Sequence, residues 1–496
     1  MQAWFAGEFE SCLELCDAIR SRGTESRTHV ALLRARALLR LDRPDDALLA
    51  LQTAAAFPAG TDEAITATML SGVAHVRRGD PDHGLALLLA AQTGSARAHP
   101  TIRSEIALNI GLAQYGRRDF DAAEQALNLV SPDSDLVHAR AIQYRAWIAQ
   151  ARSNSEQSAR LFRAALAALD TCRHYDRFFE ANCVRALAHL SLERLDRKAW
   201  AEVAERRAKI DWSANGLAQP RFFIAYCAAA YQLDVEGNPL EATREARHAE
   251  QIAPSDAYRV QALCKRASIY RRAGEPLAQR DHLEAAIELL RTCGTALAGD
   301  EAMVPYILAE ELATIDHPET MPTLMRHKDR ATMSPVLSAK QSLPADPYRS
   351  LVEARVLESL GDTRAALQRF RQAHAALSRC GYTRRAVFAA LHIVRSTGDR
   401  RMRAFAARAT SHLSPQSWLH RETHVASAQR IRLTAVQREV LALICQGKSN
   451  PEIARLRKRS LHTVRNLVAR LFELFEVQSR EQLAVECVRR GLYAPV

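Results

Sequence analysis

The sequence predicts an all-α protein in which a long α-solenoid is followed by a small helical domain. Composition is the first observation, since 48% of the 496 residues are hydrophobic, Ala, Leu and Arg are abundant, and strand-like alternation is rare. Internal repetition is the second, because turn residues recur at intervals of mostly 35 to 44 positions. The third is a series of short helices with strong capping residues near the C-terminus. A chain of this length is expected to form two or more domains.

Residues 1–410 repeat a helical hairpin. In each unit a helix ends at a charged or glycine turn, and a second helix with small residues at helical spacing follows, as from Gly72 through Gly79-Asp80 to Gly84. Similar turns fall at Asp42, Asp119, Asn154, Asp196, Gly237, Gly274, His317-Pro318, Gly361 and Gly398. Such a period is typical of stacked hairpins. The proline-rich range 295–346 is the least regular and predicts a distorted hairpin plus a loop.

One unit of this region resembles a tetratricopeptide repeat. It runs from Leu357 to Leu377, with Gly361-Asp362 at the turn and Ala365-Ala366-Leu367 after it. Most other units lack the full consensus, so the whole region is described as tetratricopeptide-like. Solenoids mostly bind proteins in their groove, so a protein or peptide is the first expectation here and a small-molecule signal the second. Such a partner is expected to change dimerisation or domain release.

The last domain is expected at 432–496, after a polar linker at 411–431 that contains Pro415. Its first helix covers about 434–446, and Gly447 stands where a C-terminal cap belongs. That helix carries apolar residues at helical spacing, namely Val436, Val440, Leu443 and Ile444.

A second helix begins at Ser449 or Asn450. Ser449 would form a capping box with Glu452, whereas Asn450 would place Pro451 at the first helical position. Ser460 caps the next helix, whose apolar stripe comprises Leu461, Val464, Val468, Leu471 and Phe475.

Two helices joined by a tight turn, with a third in front, form a helix-turn-helix, whose second helix enters the DNA major groove. The stripe leaves His462, Arg465, Asn466, Ala469 and Arg470 outside the core. Arg can read guanine and Asn can read adenine, while other cations bind phosphates. For an isolated helix a merely solvated face would be the better interpretation, but the preceding capped helix and the local charge favour a groove reader. The predicted DNA-binding residues are Lys448, Arg459, His462, Thr463, Arg465, Asn466, Ala469 and Arg470.

Residues 433–492 resemble the DNA-binding domain of LuxR-type (LuxR/FixJ) transcription regulators. The matching residues are Leu433-Thr434, Arg438-Glu439-Val440-Leu441, Gly447, Ser449-Asn450, Glu452-Ile453-Ala454, Ser460, Thr463-Val464, Asn466, Val477 and Arg480. The resemblance implies binding to double-stranded DNA, with Arg465, Asn466 and Ala469 at the base-reading positions. It also implies that the last helix, introduced by Ser479 and Gln482, is a dimerisation surface. On that helix we expect Leu483, Cys487 and Val488 to serve a homodimer on DNA.

The chain departs from the family pattern just before the recognition helix. The usual Leu, Gly and Ile are here Arg457, Lys458 and Arg459, Leu467 replaces a common His, and Glu476 replaces a Gly. Two buried, unpaired cations would cost too much in so small a domain. We therefore expect Leu456 to supply the missing apolar contact and both arginines to keep their charged groups in water.

Charge and composition limit the classes of function that the chain can have. The net charge is +12, and residues 430–496 hold 13 Arg and Lys against 6 Asp and Glu, a surplus that fits a nucleic-acid partner. Ten scattered cysteines, without a C-x-x-C pair or zinc spacing, indicate reduced thiols in a cytoplasm. Neither a signal peptide nor a membrane-spanning run is read from the sequence.

No cofactor, metal site or catalytic site is predicted, so we expect a protein that is not an enzyme. Gly447-Lys448-Ser449 mimics the end of a phosphate-binding loop, but Ala442 stands where that motif needs Gly and no strand precedes it. The sequence thus predicts a DNA-binding transcriptional regulator whose repeat region binds a regulatory partner. The alternative is a protein-interaction scaffold whose altered terminal domain no longer reads DNA.

Overall fold

The computed structural model describes residues 9–19, 24–52, 57–58, 60–213, 217–293, 297, 299–323, 347–428, 435–475 and 477–489. Within these residues every regular element is a helix, so the prediction of an all-α fold is confirmed. The chain divides into two compact units, Met1–Ala389 and Ala390–Val496. The division falls inside one helix, before residue 410, where the sequence predicts the repeat region to end.

Helices follow one another closely along both units. The first unit contains α1 (Phe9–Ile19), α2 (Thr24–Arg40), α3 (Pro44–Gln52), α4 (Asp62–Arg77), α5 (Pro81–Gly94), α6 (Pro100–Gly116), α7 (Phe120–Asn128), α8 (Asp135–Ala151), α9 (Ser155–Asp170), α10 (Arg177–Arg194), α11 (Arg197–Lys209), α12 (Ala218–Tyr231), α13 (Pro239–Gln251), α14 (Asp256–Ala273), α15 (Pro276–Thr292), α16 (Val304–Leu312), α17 (Pro347–Ser359) and α18 (Thr363–Arg379). Helix α19 (Thr383–Thr397) crosses the division, and α20 (Arg400–Thr410), α21 (Trp418–Ala428), α22 (Ala435–Cys445), α23 (Asn450–Leu456), α24 (Leu461–Phe475) and α25 (Arg480–Arg489) follow.

Consecutive helices pair into antiparallel hairpins. Such pairs are α2 with α3, α4 with α5, α6 with α7, α8 with α9, α12 with α13, α14 with α15, and α17 with α18. The first helix of a hairpin also packs on the first helix of the next, as α4 does on α6 and α12 on α14. The predicted repetition of helical hairpins is therefore present, and each hairpin buries its apolar face against its neighbours.

The turns inside these hairpins share one backbone solution. A residue with positive φ ends the first helix, and in most of these turns an Asp or Asn then caps the second helix with its side chain; Arg43 and Glu275 stand at that position in the other two. In one turn Gly79 has φ 94° and Asp80 accepts from the backbone N–H of His83 at 3.3 Å. In another, Arg118 has φ 63° and Asp119 accepts from Ala122 N at 3.0 Å. The dihedral angle, rather than glycine itself, is thus the repeated feature.

Helices α4 and α5 approach each other through glycine. A Cβ on Gly84 would lie 2.6 Å from the carbonyl oxygen of Gly72, and a Cβ on Gly72 would lie 2.9 Å from that of Gly84. The small residues seen at helical spacing in the sequence therefore allow the backbones to touch. Between these helices Leu88, fully buried, and Met69, 1% exposed, complete the contact.

The segment predicted as a linker is largely folded. Residues 418–428 form helix α21, which packs on α20, and Leu419 and Thr423 of this helix are buried. Ser417 caps α21 by accepting from His420 N at 3.3 Å. The prediction of a linker over 411–431 is thus wrong for 418–428, because the Ser417 cap and the buried Leu419 stabilise a helix within a polar segment. Residues 429–431 lie outside the described residues, as do 324–346 of the irregular proline-rich range.

Candidate DNA interface

Helices α22, α23, α24 and α25 fold around one apolar core. Its fully buried or nearly buried members come from all four helices and include Val440, Leu441, Ile444, Ile453, Val464, Val468, Leu471, Phe475, Leu483 and Cys487. Of the apolar stripe predicted for the recognition helix, Val464, Val468, Leu471 and Phe475 lie in this core, and Leu461 is half-buried. The domain therefore has its own core, which fixes the orientation of its exposed helix face.

The turn between α22 and α23 follows the predicted capping. Gly447 has φ 79°, and the backbone N–H of Lys448 donates to Leu443 O at 3.0 Å. Ser449, and not Asn450, is the N-cap of α23. The backbone N–H of Ser449 donates to the Glu452 carboxylate at 2.7 Å, and its hydroxyl donates to the same oxygen at 2.6 Å. These two hydrogen bonds lower the pKa of Glu452, so the cap stabilises the charged form of the Glu452 carboxylate.

The basic turn between α23 and α24 keeps a regular geometry. Lys458 has φ 48°, a left-handed conformation, at the position where the resemblance to LuxR-type domains leads us to expect Gly. Its neighbour Arg459 donates its backbone N–H to Ala454 O at 3.0 Å. The replacement of Gly by Lys has thus not prevented the turn from forming, although a side chain there is strained.

The arginines of this turn differ in environment. Arg459 is exposed, as expected, whereas Arg457 is half-buried and forms an ion pair with Glu439 of α22. Leu456 is 59% exposed, so the expectation that it supplies the missing apolar contact is wrong. The physical reason is that a partner carboxylate on α22 neutralises Arg457, and the turn then needs no apolar replacement.

The recognition helix α24 presents the predicted side chains to solvent. Ser460 caps it, accepting from Thr463 N at 3.1 Å. The exposed residues are His462, Thr463, Arg465, Asn466, Ala469 and Arg470. Along this face the Asn466 amide lies 3.3 Å from Nε2 of His462. Lys448 is half-buried at the start of the helix pair. The structure thus brings most of the predicted DNA-binding residues onto one exposed face.

Most of the cations that the structure describes on α22 to α25 and in the turns between them have no carboxylate partner. Among the described residues no carboxylate forms an ion pair with Arg459, Arg465 or Arg470, nor with Lys448 or Lys458. In the first unit, by contrast, about half of the exposed arginines that the structure describes pair with Asp or Glu, as Arg152 does with Glu124 at 2.6 Å. Cations without a protein partner remain free to bind phosphate groups.

Arg480 positions the helix pair, a role that the sequence did not predict. Its guanidinium donates to the Asn450 side chain at 2.6 Å and also to the carbonyl oxygen of Lys448. Charged donors make strong hydrogen bonds, and these two connect the start of α25 to the turn before α23. In the sequence, Arg480 matches the LuxR-type pattern and directly follows the N-cap Ser479, but neither observation predicts a partner so distant in the chain.

The predicted dimerisation residues require a correction. Leu483 and Cys487 are fully buried in the core of the domain itself, so they have no surface to offer a partner. Helical periodicity identified an apolar face on α25, but that face packs on α22 and α24. The side chain of Val488 lies outside the described residues. On the outer side of α25, Val485 is 66% exposed.

Two kinds of feature are absent from the part of the chain that the structure describes. No group of three or more His, Cys, Asp and Glu residues there could hold a metal ion. None of the helices described combines the length and the apolar character that a bilayer crossing requires. All ten cysteines are free thiols.

Comparison with known proteins agrees with this geometry. Residues 432–487 match the family model of bacterial regulatory proteins of the luxR family. The match covers α22 to α24, all of α25 except its last two residues, the capped turn and the exposed face. A search of curated proteins found no match. The chain therefore carries a luxR-family helix-turn-helix domain at residues 432–487.

Proposed function

We propose that the chain is a DNA-binding transcriptional regulator whose tetratricopeptide-like repeat region binds a regulatory partner. The observation that supports it most is the exposed face of α24, where Arg465, Asn466 and Arg470 project from a core-anchored helix. Arg465 and Asn466 would read base edges, while Lys448, Arg459 and Arg470 would neutralise phosphates. The domain would bind duplex DNA as a homodimer, using an outer surface of α25 other than Leu483 and Cys487.

The main argument for the scaffold alternative is weakened. It rested on the replacement of the turn residues by Arg457, Lys458 and Arg459. The backbone of that turn is nevertheless regular, and Arg457 has its own carboxylate partner. A basic turn next to the recognition helix adds positive charge near the place where the DNA backbone would lie, which favours DNA binding over its loss.

Binding of the full chain to DNA tests this function. A preferred duplex is first selected from a random library, and its affinity is measured by fluorescence anisotropy over a salt series. Each phosphate contact should add about −0.9 to the slope of log K against log salt. We expect Arg465→Ala to cost about 1 to 3 kcal/mol on the selected duplex and much less on random DNA.

Arg244→Ala is the matched control, because Arg244 is an exposed arginine on α13 of the repeat region, with 75% of its side chain accessible. It should leave DNA affinity unchanged. An equal loss for Arg465→Ala on both duplexes would make Arg465 a phosphate contact only. If the chain does not bind any duplex at low salt, the proposed function is wrong and the scaffold is favoured.

A further inference from the structure

The start of helix α19 contacts helices that lie far earlier in the chain. The side-chain amide of Gln150, at the end of α8, donates to the hydroxyl of Tyr382 at 3.0 Å. The Arg384 guanidinium donates to Glu193 at 2.7 Å and to Asp234 at 2.8 Å. Arg385 lies 3.3 Å from the same oxygen of Glu193. Residues 382–385 therefore lie across hairpins that begin more than a hundred residues before them.

The acceptors of these arginines are buried carboxylates. Glu193 lies in the last turn of α10, and Asp234 lies in the π-helical turn after α12. Their side chains are 0% and 1% exposed respectively. Burial alone would raise the pKa of Glu193, but Arg384 and Arg385 outweigh it and lower that pKa to about 2. A buried carboxylate is tolerated only when cations compensate its lost hydration. Both carboxylates, on successive hairpins, therefore depend on guanidinium groups: Arg384 and Arg385 pair with Glu193, while Arg384 and Arg272 of α14 pair with Asp234.

Aromatic contacts, and a close backbone approach at Gly381, also hold the start of α19 against the earlier hairpins. Arg385 lies over the ring of Tyr348 at 4.2 Å, and the ring of Tyr382 meets that of His189 edge-on at 5.6 Å. Just before these residues, Gly381 has φ 72°, and a Cβ there would collide with the Ser155 hydroxyl. The segment thus enters along a path that only glycine permits. At the other end of the segment the Arg272 guanidinium lies over the ring of Phe388, 5.6 Å from its centre. Ionic and aromatic contacts thus converge on residues 382–388.

We propose that Glu193, Asp234 and the rings around them form a binding site for a helical peptide with two adjacent arginines. In this structure the site holds residues 382–388 of the same chain, and a partner protein carrying such a helix would compete for it. This inference rests on the proposed role of the repeat region in binding a partner, and it specifies the chemistry of that partner. Because the resident segment is covalently attached, the apparent affinity for a partner is reduced by the fraction of chains whose site is occupied.

The test uses the full chain and a fluorescein-labelled synthetic peptide covering residues 379–397. The wild-type chain should bind the peptide weakly. Arg384→Ala weakens the resident segment and leaves both carboxylates in place, so the dissociation constant should fall by at least about tenfold. Adding Glu193→Gln and Asp234→Asn to this variant should abolish the gain. The control peptide carries Arg384→Glu and Arg385→Glu and should not bind.

Far-UV circular dichroism first establishes that each variant is folded. If Arg384→Ala does not fold, Tyr382→Phe replaces it in the test and should also bind the peptide more tightly than wild type. This variant removes only the hydroxyl that accepts from Gln150 and leaves no charge unpaired. A folded variant that binds the peptide no better than wild type would overturn the proposal, and so would equal binding of the control peptide. DNA binding is measured separately on the same chains, so a chain that fails to bind DNA but exchanges the peptide leaves this inference standing.

Discussion

Gly84→Ala should destabilise the hairpin of α4 and α5. The added methyl group would lie 2.6 Å from the Gly72 carbonyl oxygen, 2.6 Å from Cγ2 of Val76 and 2.8 Å from its backbone nitrogen. Two of these atoms belong to the backbone, so one helix must move, and overpacking of this kind costs about 1 to 3 kcal/mol. Alanine regains about 0.5 to 1 kcal/mol of helix propensity. We therefore expect a net loss of about 1 to 2 kcal/mol.

Gly94→Ala is the matched control for this change. Gly94 ends the same helix with φ −71°, and a Cβ there would meet nothing within 4 Å. It should stabilise the hairpin by up to about 1 kcal/mol. Hydrogen exchange read by mass spectrometry on peptides covering 62–94 measures both changes locally. Amides of α4 and α5 should exchange roughly 5 to 30 times faster in Gly84→Ala. An unchanged rate in Gly84→Ala, or faster exchange in both variants, would refute the argument from backbone contact.

Three further predictions concern single side chains. Lys458→Gly should stabilise the C-terminal domain by about 1 kcal/mol because it relieves the left-handed strain at φ 48°. Lys458→Ala removes the same charge but keeps the strain, so it should not stabilise the domain. Thermal melts of both variants test this difference. Arg480→Ala removes the charged hydrogen bonds to Asn450 and Lys448, so the domain should lose about 2 kcal/mol of stability. Unchanged hydrogen-exchange protection across 450–471 would disprove the positioning role of Arg480. Burial lowers the pKa of His189 to about 4. Below about pH 6.5 the unfolded chain therefore binds a proton that the folded chain does not bind, and stability should fall as the pH is lowered from about 6.5 to about 4. His189→Phe should flatten denaturation midpoints over that pH window, and an unchanged pH dependence would rule out this origin.

Local features of the fold were predictable because their causes lie within a few residues. Gly447 with Ser449 and Glu452, and Ser460 before α24, act through backbone groups three or four positions away. Their caps and the stripe on α24 could therefore be read directly. The exposed face of the recognition helix followed from that stripe, since the residues between its members must point elsewhere.

Features that depend on the neighbour of a side chain were not predictable. The pattern on α25 shows that Leu483 and Cys487 share an apolar face, but it does not show whether that face covers the same domain or another chain. The same limit applied to Leu456, because the partner of Arg457 is Glu439 on a helix before it. The contact of Arg384 with Glu193 spans 191 positions, and no local pattern encodes it.

The docked segment 382–388 also changes how the repeat region should come apart. A linear array of hairpins contacts only its neighbours, so its ends can fray one unit at a time. Here Tyr382 bonds to α8, and Arg384 bonds to Glu193 in α10 and to Asp234 after α12. The contacts with Gln150 and Asp234 close loops of 232 and 150 positions. Pulling on the C-terminal end of the unit would therefore load these side chains before α17 and α18 could peel away. Under such a load, the repeats between Gln150 and Tyr382 should yield together in one large extension step rather than as a series of small ones.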